Sequence, residues 1–365
     1  MKCWTKTDIL FFLLRKGLGM GDTGVSEHES DTPVFTISDR EWMDLWAMAL
    51  KQAVCGIVYD GMGKLPKEMQ PPRRLMLQFM AYTEGIRKAN MRMRSAAEEI
   101  VGWFEEEGLE PMVIKGLTVG ALYPNPELRM PGDIDLFFHR DYDRVVPIVR
   151  KKGIEVTLDS NHDKFSYKGI PIELHHTAFK TLFPIEKPDF SPVLFESEGY
   201  SGRILNLKAN AMLLLMHPAR HFMNEGIGLR HVCDWAMFLK RYEDRPELEE
   251  AWNEVKRQGA GRFAIEFTAI AVHYMGLELK NPEKWTGESK PELRDRMLEL
   301  IIKRGNFAKD SKSYRTARYF KYLYNLLKYV FAVYPYWKQF FFKNVPRRIV
   351  YRLLLILKGK PFATE

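Results

Sequence analysis

Two aspartates one residue apart, in Gly132-Asp133-Ile134-Asp135-Leu136-Phe137-Phe138, carry the strongest chemical signal in the chain. On a strand, residues two apart point to one face, so Asp133 and Asp135 share a patch while Ile134 and Leu136 enter the core behind it. Aspartate is disfavoured in strands and like charges repel, so the pair is costly unless a cation lies between them. Magnesium, which prefers carboxylate oxygens at about 2.1 Å, is the expected ion, with Mn2+ as its substitute. Glu173, in Ile172-Glu173-Leu174, is a third acid between apolar neighbours on a strand. Three carboxylates on adjacent strands can hold two metal ions about 4 Å apart, an arrangement that activates an attacking oxygen and steadies departing pyrophosphate. The spacing alone is weak, because a second such pair, Asp141 and Asp143, sits at an expected helix start, where acids simply complement the dipole.

Lys115-Gly116 follows the apolar run Met112-Val113-Ile114 and opens a predicted helix through Leu117, Val119 and Leu122. A glycine there lets backbone amides approach phosphate. Arg129, four residues before Asp133, is placed to pair with a triphosphate oxygen. Ordinary surface charge for Lys115 and a salt bridge to an aspartate for Arg129 are the competing readings. His217 and His221 have the four-residue spacing of zinc ligands on a helix, but no glutamate follows His217 and no third ligand is evident. Arg230 and Asp234 repeat the spacing and read most simply as an i,i+4 ion pair. His175 and His176, next to Glu173, are candidates for substrate contact.

Lys115-Gly116, the turn at Tyr123-Pro124, the run from Arg129 to Leu136 and Ile172-Glu173-Leu174-His175 together resemble a poorly characterised bacterial nucleotidyltransferase family of the DNA polymerase beta superfamily. The resemblance extends over most of the chain. It implies a mixed sheet, two magnesium ions held by Asp133, Asp135 and Glu173 as the catalytic carboxylates, and transfer of a nucleoside monophosphate from a nucleoside triphosphate to a hydroxyl or similar acceptor. That acceptor, a small molecule or a protein, is not identified by the resemblance, and the activity it implies is of class EC 2.7.7. Lys115, Gly116 and Arg129 then hold the triphosphate, His175 contacts substrate, and His217, His221, Arg230 and Asp234 line the acceptor side of the cleft. One departure stands out: the superfamily usually has Gly-Gly or Gly-Ser at the phosphate loop, where this chain has Lys115-Gly116-Leu117, with Lys115 supplying charge instead. A catalytically decayed binding or scaffolding module is the alternative in a different functional class.

The elements that must position these residues read as α+β, a small mixed-sheet core embedded between helical regions. Residues 1–108 form a helical region, beginning with an amphipathic helix at Ile9–Leu14 and continuing through a helix capped by Ser38, a break at Gly61, Gly63, Pro66, Pro71 and Pro72, and a long helix from Arg73 to Glu107. Residues 109–205 form the nucleotidyltransferase-like core: a strand at Met112–Ile114, a strand at Asp133–Phe138, a helix at Asp141–Lys152, a strand at Ile154–Leu158, and a hairpin with Gly169 at its turn. Residues 206–310 form a helical region that closes the cleft. Residues 311–365 form a basic aromatic tail.

Composition supports a globular protein: 365 residues, 46% hydrophobic, with a net charge of +8. The charge is uneven, since residues 311–365 hold 12 Lys and Arg against one acid, Glu365, so the remainder of the chain is net acidic. Fifteen aromatics interleave with that charge between Tyr314 and Phe362. Such a segment can bind nucleic acid, lie on an anionic membrane surface, or cover the core. Three scattered cysteines exclude a disulfide framework and a thiolate zinc site, and fit a reducing cytoplasm, with peripheral attachment at the inner membrane surface if the tail binds lipid. No run reaches the ~18 apolar residues of a membrane span.

Overall fold

The computed structural model describes residues 4–21, 35, 37–159, 162–176, 192–197, 200–224, 226–306 and 331–336. Helix α1 (Lys6–Leu18) starts at a capping box, in which the Thr5 hydroxyl accepts from the Asp8 amide while the Asp8 carboxylate accepts from the Thr5 amide. The sequence suggests an amphipathic helix, but Ile9 to Arg15 are buried without interruption. A helix apolar on every side belongs in an interior, and the others pack around it. Helix α2 (Asp39–Lys51) begins at Ser38 as its spacing predicts, with Glu41 completing the cap.

Helix α3 (Cys55–Gly63) crosses α1 at backbone contact distance. A Cβ on Gly61 would run into the Leu13 carbonyl, and one on Gly17 into the Ile57 carbonyl. Gly61 is therefore a packing residue inside a helix rather than part of the break, which begins after Gly63. Gly61→Ala is expected to cost about 1–3 kcal/mol by overpacking this crossing. Urea unfolding checks this, with Gly63→Ala, whose Cβ would meet open space, as the neutral control.

Helix α4 (Arg73–Glu106) follows Pro71-Pro72 and ends before Gly108, whose φ of 75° closes it. Its first half, with Leu75, Phe79 and Ile86, joins the helical core. Its second half, with Ala97, Ile100 and Phe104, packs under the sheet. One element thus fixes the sheet against the helical body.

The sheet comprises β1 (Met112–Ile114), β2 (Ile134–Phe137), β3 (Asp163–Tyr167) and β4 (Ile170–His175) in the order β1-β2-β4-β3. β2 and β4 run parallel and the other pairs antiparallel. Helices α5 (Gly116–Gly120) and α6 (Val145–Lys151) lie between the strands in sequence. Lys168 and Gly169 both have positive φ, 51° and 75°, as a two-residue hairpin turn requires, and this fixes Tyr167 opposite Ile170. The expected strand at Ile154–Leu158 is reduced to a single bridge, Thr157 with Lys164. Val156 is buried and Ile154 partly so, while Leu158 is 62% exposed, so the segment has little apolar burial to hold it on the sheet. A separate hairpin, β5 (Pro192–Ser197) with β6 (Tyr200–Leu205), was not expected from the sequence.

Among the described residues, the helices α7 (Leu207–Asn224), α8 (Leu229–Tyr242), α9 (Pro246–Val255), α10 (Gly261–Met275), α11 (Pro282–Thr286) and α12 (Pro291–Arg304) follow. Their apolar residues share one continuous core with α1, α2 and α3. From the tail, Val333 and Tyr336 are buried in that core, and the Tyr336 hydroxyl donates to the Leu293 carbonyl. Apart from residues 331–336, the segment 311–365 lies outside the described residues, and with it the nucleic-acid and membrane readings of the tail. No helix among the described residues is long and apolar enough to cross a membrane.

Candidate metal and nucleotide site

One face of the sheet is largely apolar, and the other sets polar site residues beside Met112, Ile114 and Phe137, which join the helical core. Val113, Ile134, Leu136, Ile172 and Leu174 pack into the cluster that includes α4 and α6. Alternation along each strand then puts Asp135, Glu173 and His175 on the opposite face. Parallel pairing sets Asp135 opposite Glu173 and Phe137 opposite His175. The side-chain ligand atoms of Asp135, Glu173 and His175 all lie within 4.8 Å of one another. Asp133 immediately precedes β2 and is partly buried, close enough for Asp135 and Glu173 to act on its charge.

Each carboxylate has a distinct electrostatic setting. Burial pushes the Asp135 carboxyl up, but the Lys115 ammonium and the His175 imidazole, both 2.7 Å from its Oδ1, outweigh this and hold it well below the usual range. Burial likewise opposes ionisation of Glu173, and His162 and Lys164, at 3.0 and 2.9 Å from Oε1, bring it down to about 2. Asp133 is raised, first by burial and then by repulsion from Asp135 and Glu173. Burial pushes the His175 imidazole down, which favours its neutral form. Asp135, Glu173 and the His175 imidazole form a donor group that suits a divalent cation, with Asp133 beside it and outside that group.

Lys115 reaches this cluster from the end of β1, where its neighbour Ile114 pairs with Asp135. Its backbone has φ 58° and ψ −123°, a region that side-chain-bearing residues avoid at a cost of about 1–3 kcal/mol. Gly116 follows, and a Cβ there would sit 3.5 Å from the Asp133 carbonyl, so the phosphate-loop candidate and the DxD segment are in contact.

Arg129 is not free to meet a phosphate with its whole guanidinium. Its Nε and one terminal nitrogen donate to the two carboxylate oxygens of Asp234 at 2.7 and 2.8 Å, and the Tyr123 hydroxyl donates to Asp234 at 2.7 Å. Both partners of the pair are buried. Asp234, expected to pair with Arg230 one helical turn away, is thus engaged by Arg129 from 105 residues upstream. The bidentate fork is the stronger geometry, and it ties α8 to the loop that carries Asp133. Burial raises the Asp234 carboxyl, while Arg129, Arg230 and Tyr123 more than offset it, so its folded pKa is lowered. A lowered acid stabilises the fold fully above its unfolded value of about 3.9 and loses that contribution as pH falls through the folded pKa. The stability gap between the protein and Asp234→Asn is therefore expected to stay constant from pH 7 to 5 and to shrink below about pH 4, as read by urea unfolding at each pH.

Helices α7 and α8 supply a basic wall. His217 stacks edge-on to His221 at 4.5 Å between ring centroids and lies 6.3 Å from His231. Burial and then the Lys115 charge push His217 far down, and His231 is pushed down to about 3. Arg230 approaches Gly132, its Nε buried without a hydrogen-bond partner among the described residues. His217, His221 and His231 do not assemble a metal-ligand group with any acid among the described residues.

The structure therefore brings Asp135, Glu173, His175 and Lys115 together, with Asp133 beside them but outside that ligand group, Gly116 against the Asp133 carbonyl, and Arg230 and His217 at the border. Arg129 and Asp234 form a buried strut behind them. His162 and Lys164 were missed in the sequence. The signal for Lys164 was present, because counting back from the Lys168-Gly169 turn puts it opposite Glu173.

The family model described as an uncharacterised nucleotidyltransferase matches residues 38–276. No curated protein matches the chain. Among solved structures, the antibiotic-resistance factor ANT(2'')-Ia overlays with a TM-score of 0.38 at 14% identity, covering 46% of this chain and 94% of that one. An antigenic nucleotidyltransferase-like protein from Paracoccidioides brasiliensis overlays with a TM-score of 0.30 at 11% identity, covering 52% and 93%. Both overlays are loose, and the assignment rests on the match over residues 38–276.

Proposed function

The chain belongs to the uncharacterised nucleotidyltransferase family, and from that premise we propose that it transfers a nucleoside monophosphate from a nucleoside triphosphate to an acceptor hydroxyl, using divalent metal. The observation that carries this reading is the convergence of Asp135, Glu173 and His175 within 4.8 Å, beside Asp133. Asp133, Asp135 and Glu173, with His175, would hold magnesium or Mn2+. When bound, the metal supplies charge neutralisation and Lewis-acid polarisation at the transferring phosphorus.

The chain's own groups provide the rest. Lys115 offers an ammonium beside Asp135, and Gly116 leaves the loop next to Asp133 open to a phosphate. Arg129 acts as a positioning residue: clamped by Asp234, it fixes the segment that leads into Asp133, and its remaining terminal nitrogen lies toward Gly116. The acceptor is assigned to the side of α7 and α8, where His217 and His221 line the wall and Arg230 has an unused donor. A buried guanidinium nitrogen without a partner favours a substrate that brings an acceptor atom.

Calorimetric titration of a non-hydrolysable nucleoside triphosphate with Mg2+ tests the reading. Binding is expected with the protein and should disappear in Asp133→Ala or when magnesium is omitted. Equal binding by Asp133→Ala would contradict it.

A further inference from the structure

The carboxylate cluster already contains a cation. Lys115 Nζ lies 2.7 Å from Asp135 Oδ1, with its side chain 19% exposed and that of Asp135 3% exposed. A turn that glycine would adopt freely carries a lysine instead, and its φ and ψ launch that side chain across β1 toward Asp135. Lys164 adds a second ammonium, 2.9 Å from Glu173.

Resting on the nucleotidyl-transfer reading above, we propose that the Lys115 ammonium takes the place of one of the two divalent ions expected from the sequence, so that the site works with a single ion. Charge balance supports this. With bare carboxylates, Asp133, Asp135 and Glu173 would be left at one net positive charge by two divalent ions. With the ammoniums of Lys115 and Lys164 in place, one divalent ion gives the same net charge. Geometry supports it too, because Lys115 Nζ lies at direct-contact distance from Asp135 Oδ1, an oxygen of the group that would hold the ions. A lysine ammonium is a compact charge with three donors, so one bond to Asp135 leaves two for phosphate oxygens.

Electron paramagnetic resonance of Mn2+, with a saturating non-hydrolysable nucleoside triphosphate, tests the proposal on the full chain. Two Mn2+ ions about 4 Å apart are exchange-coupled, whereas one gives an isolated six-line spectrum. The protein is expected to bind one Mn2+ per chain with the isolated spectrum. Lys115→Met, which keeps length and removes charge, is expected to bind two with the coupled spectrum. Lys115→Gly, which relieves the backbone at φ 58°, should behave as Lys115→Met and guards against a folding defect in the latter. A coupled pair in the unmodified protein would overturn the proposal while leaving nucleotidyl transfer intact, as would a single ion in both variants. No bound Mn2+ in the unmodified protein would overturn the nucleotidyl-transfer reading itself, and the proposal with it.

Discussion

Asp135→Asn is expected to lower nucleotidyl transfer by about 10³-fold or more, the scale seen when one preorganised electrostatic group is removed from a transition-state site. Asp135 is the residue on which the cluster converges: it is buried, opposite Glu173 in the parallel register, and bonded to both Lys115 and His175. The amide keeps the shape and one oxygen but loses the charge that would hold a divalent ion. It also leaves the Lys115 ammonium without its counter-charge, so the defect should appear in turnover and in metal affinity together. Asp143→Asn is the matched control. Asp143 belongs to the second D-x-D pair, sits exposed in a short helical turn after Asp141, and should leave activity unchanged. Pyrophosphate release from a nucleoside triphosphate, compared across the two variants, provides the measurement.

Arg129→Met is expected to destabilise the fold by about 3–5 kcal/mol, because removing one partner of a buried ion pair leaves the other charge uncompensated. The stranded group would be Asp234, bonded otherwise only to the Tyr123 hydroxyl among the contacts described above. Arg230 is near enough to oppose part of the loss, since its charge already lowers the Asp234 carboxyl. Pairing the change with Asp234→Leu removes the stranded charge, and the double variant should regain much of the stability lost. Urea unfolding of the two single variants and the double variant yields the coupling energy. A loss under about 1 kcal/mol for Arg129→Met would match an exposed pair and would contradict the role of this strut.

Local patterns in the sequence were enough to locate the strands at Met112 and Ile134, the long helix from Arg73 and the hairpin at Gly169, because alternation, proline and positive-φ glycine act over a few residues. The α+β class followed from them. Asp135 and Glu173 stand out for the same reason, as acids between strand-forming apolar residues, whereas Asp133, expected on the strand, precedes it. What the sequence could not show was pairing at a distance. Arg129 reads either as a phosphate ligand or as the partner of an unspecified aspartate until Asp234 is seen to take its fork, and Arg230 reads as the partner of Asp234 because helical spacing is the only neighbour relation available in one dimension. The β5–β6 hairpin has no clean alternation, with Leu194 81% exposed, and the bridge at Thr157 carries too little apolar burial to be a strand. Helix α1 misled in the opposite sense, since six consecutive apolar residues mark a buried helix rather than an amphipathic one.

The proposed metal-dependent nucleotide site lies on the sheet face that carries Asp135 and Glu173. A crystal structure grown with Mn2+ and a non-hydrolysable nucleoside triphosphate, with anomalous scattering recorded for manganese, tests it most directly. The expected result is manganese bound by Asp135 and Glu173, with the triphosphate lying along Lys115 and Gly116. Manganese and triphosphate bound elsewhere, or a sheet face left bare at saturating concentrations of both, would contradict it.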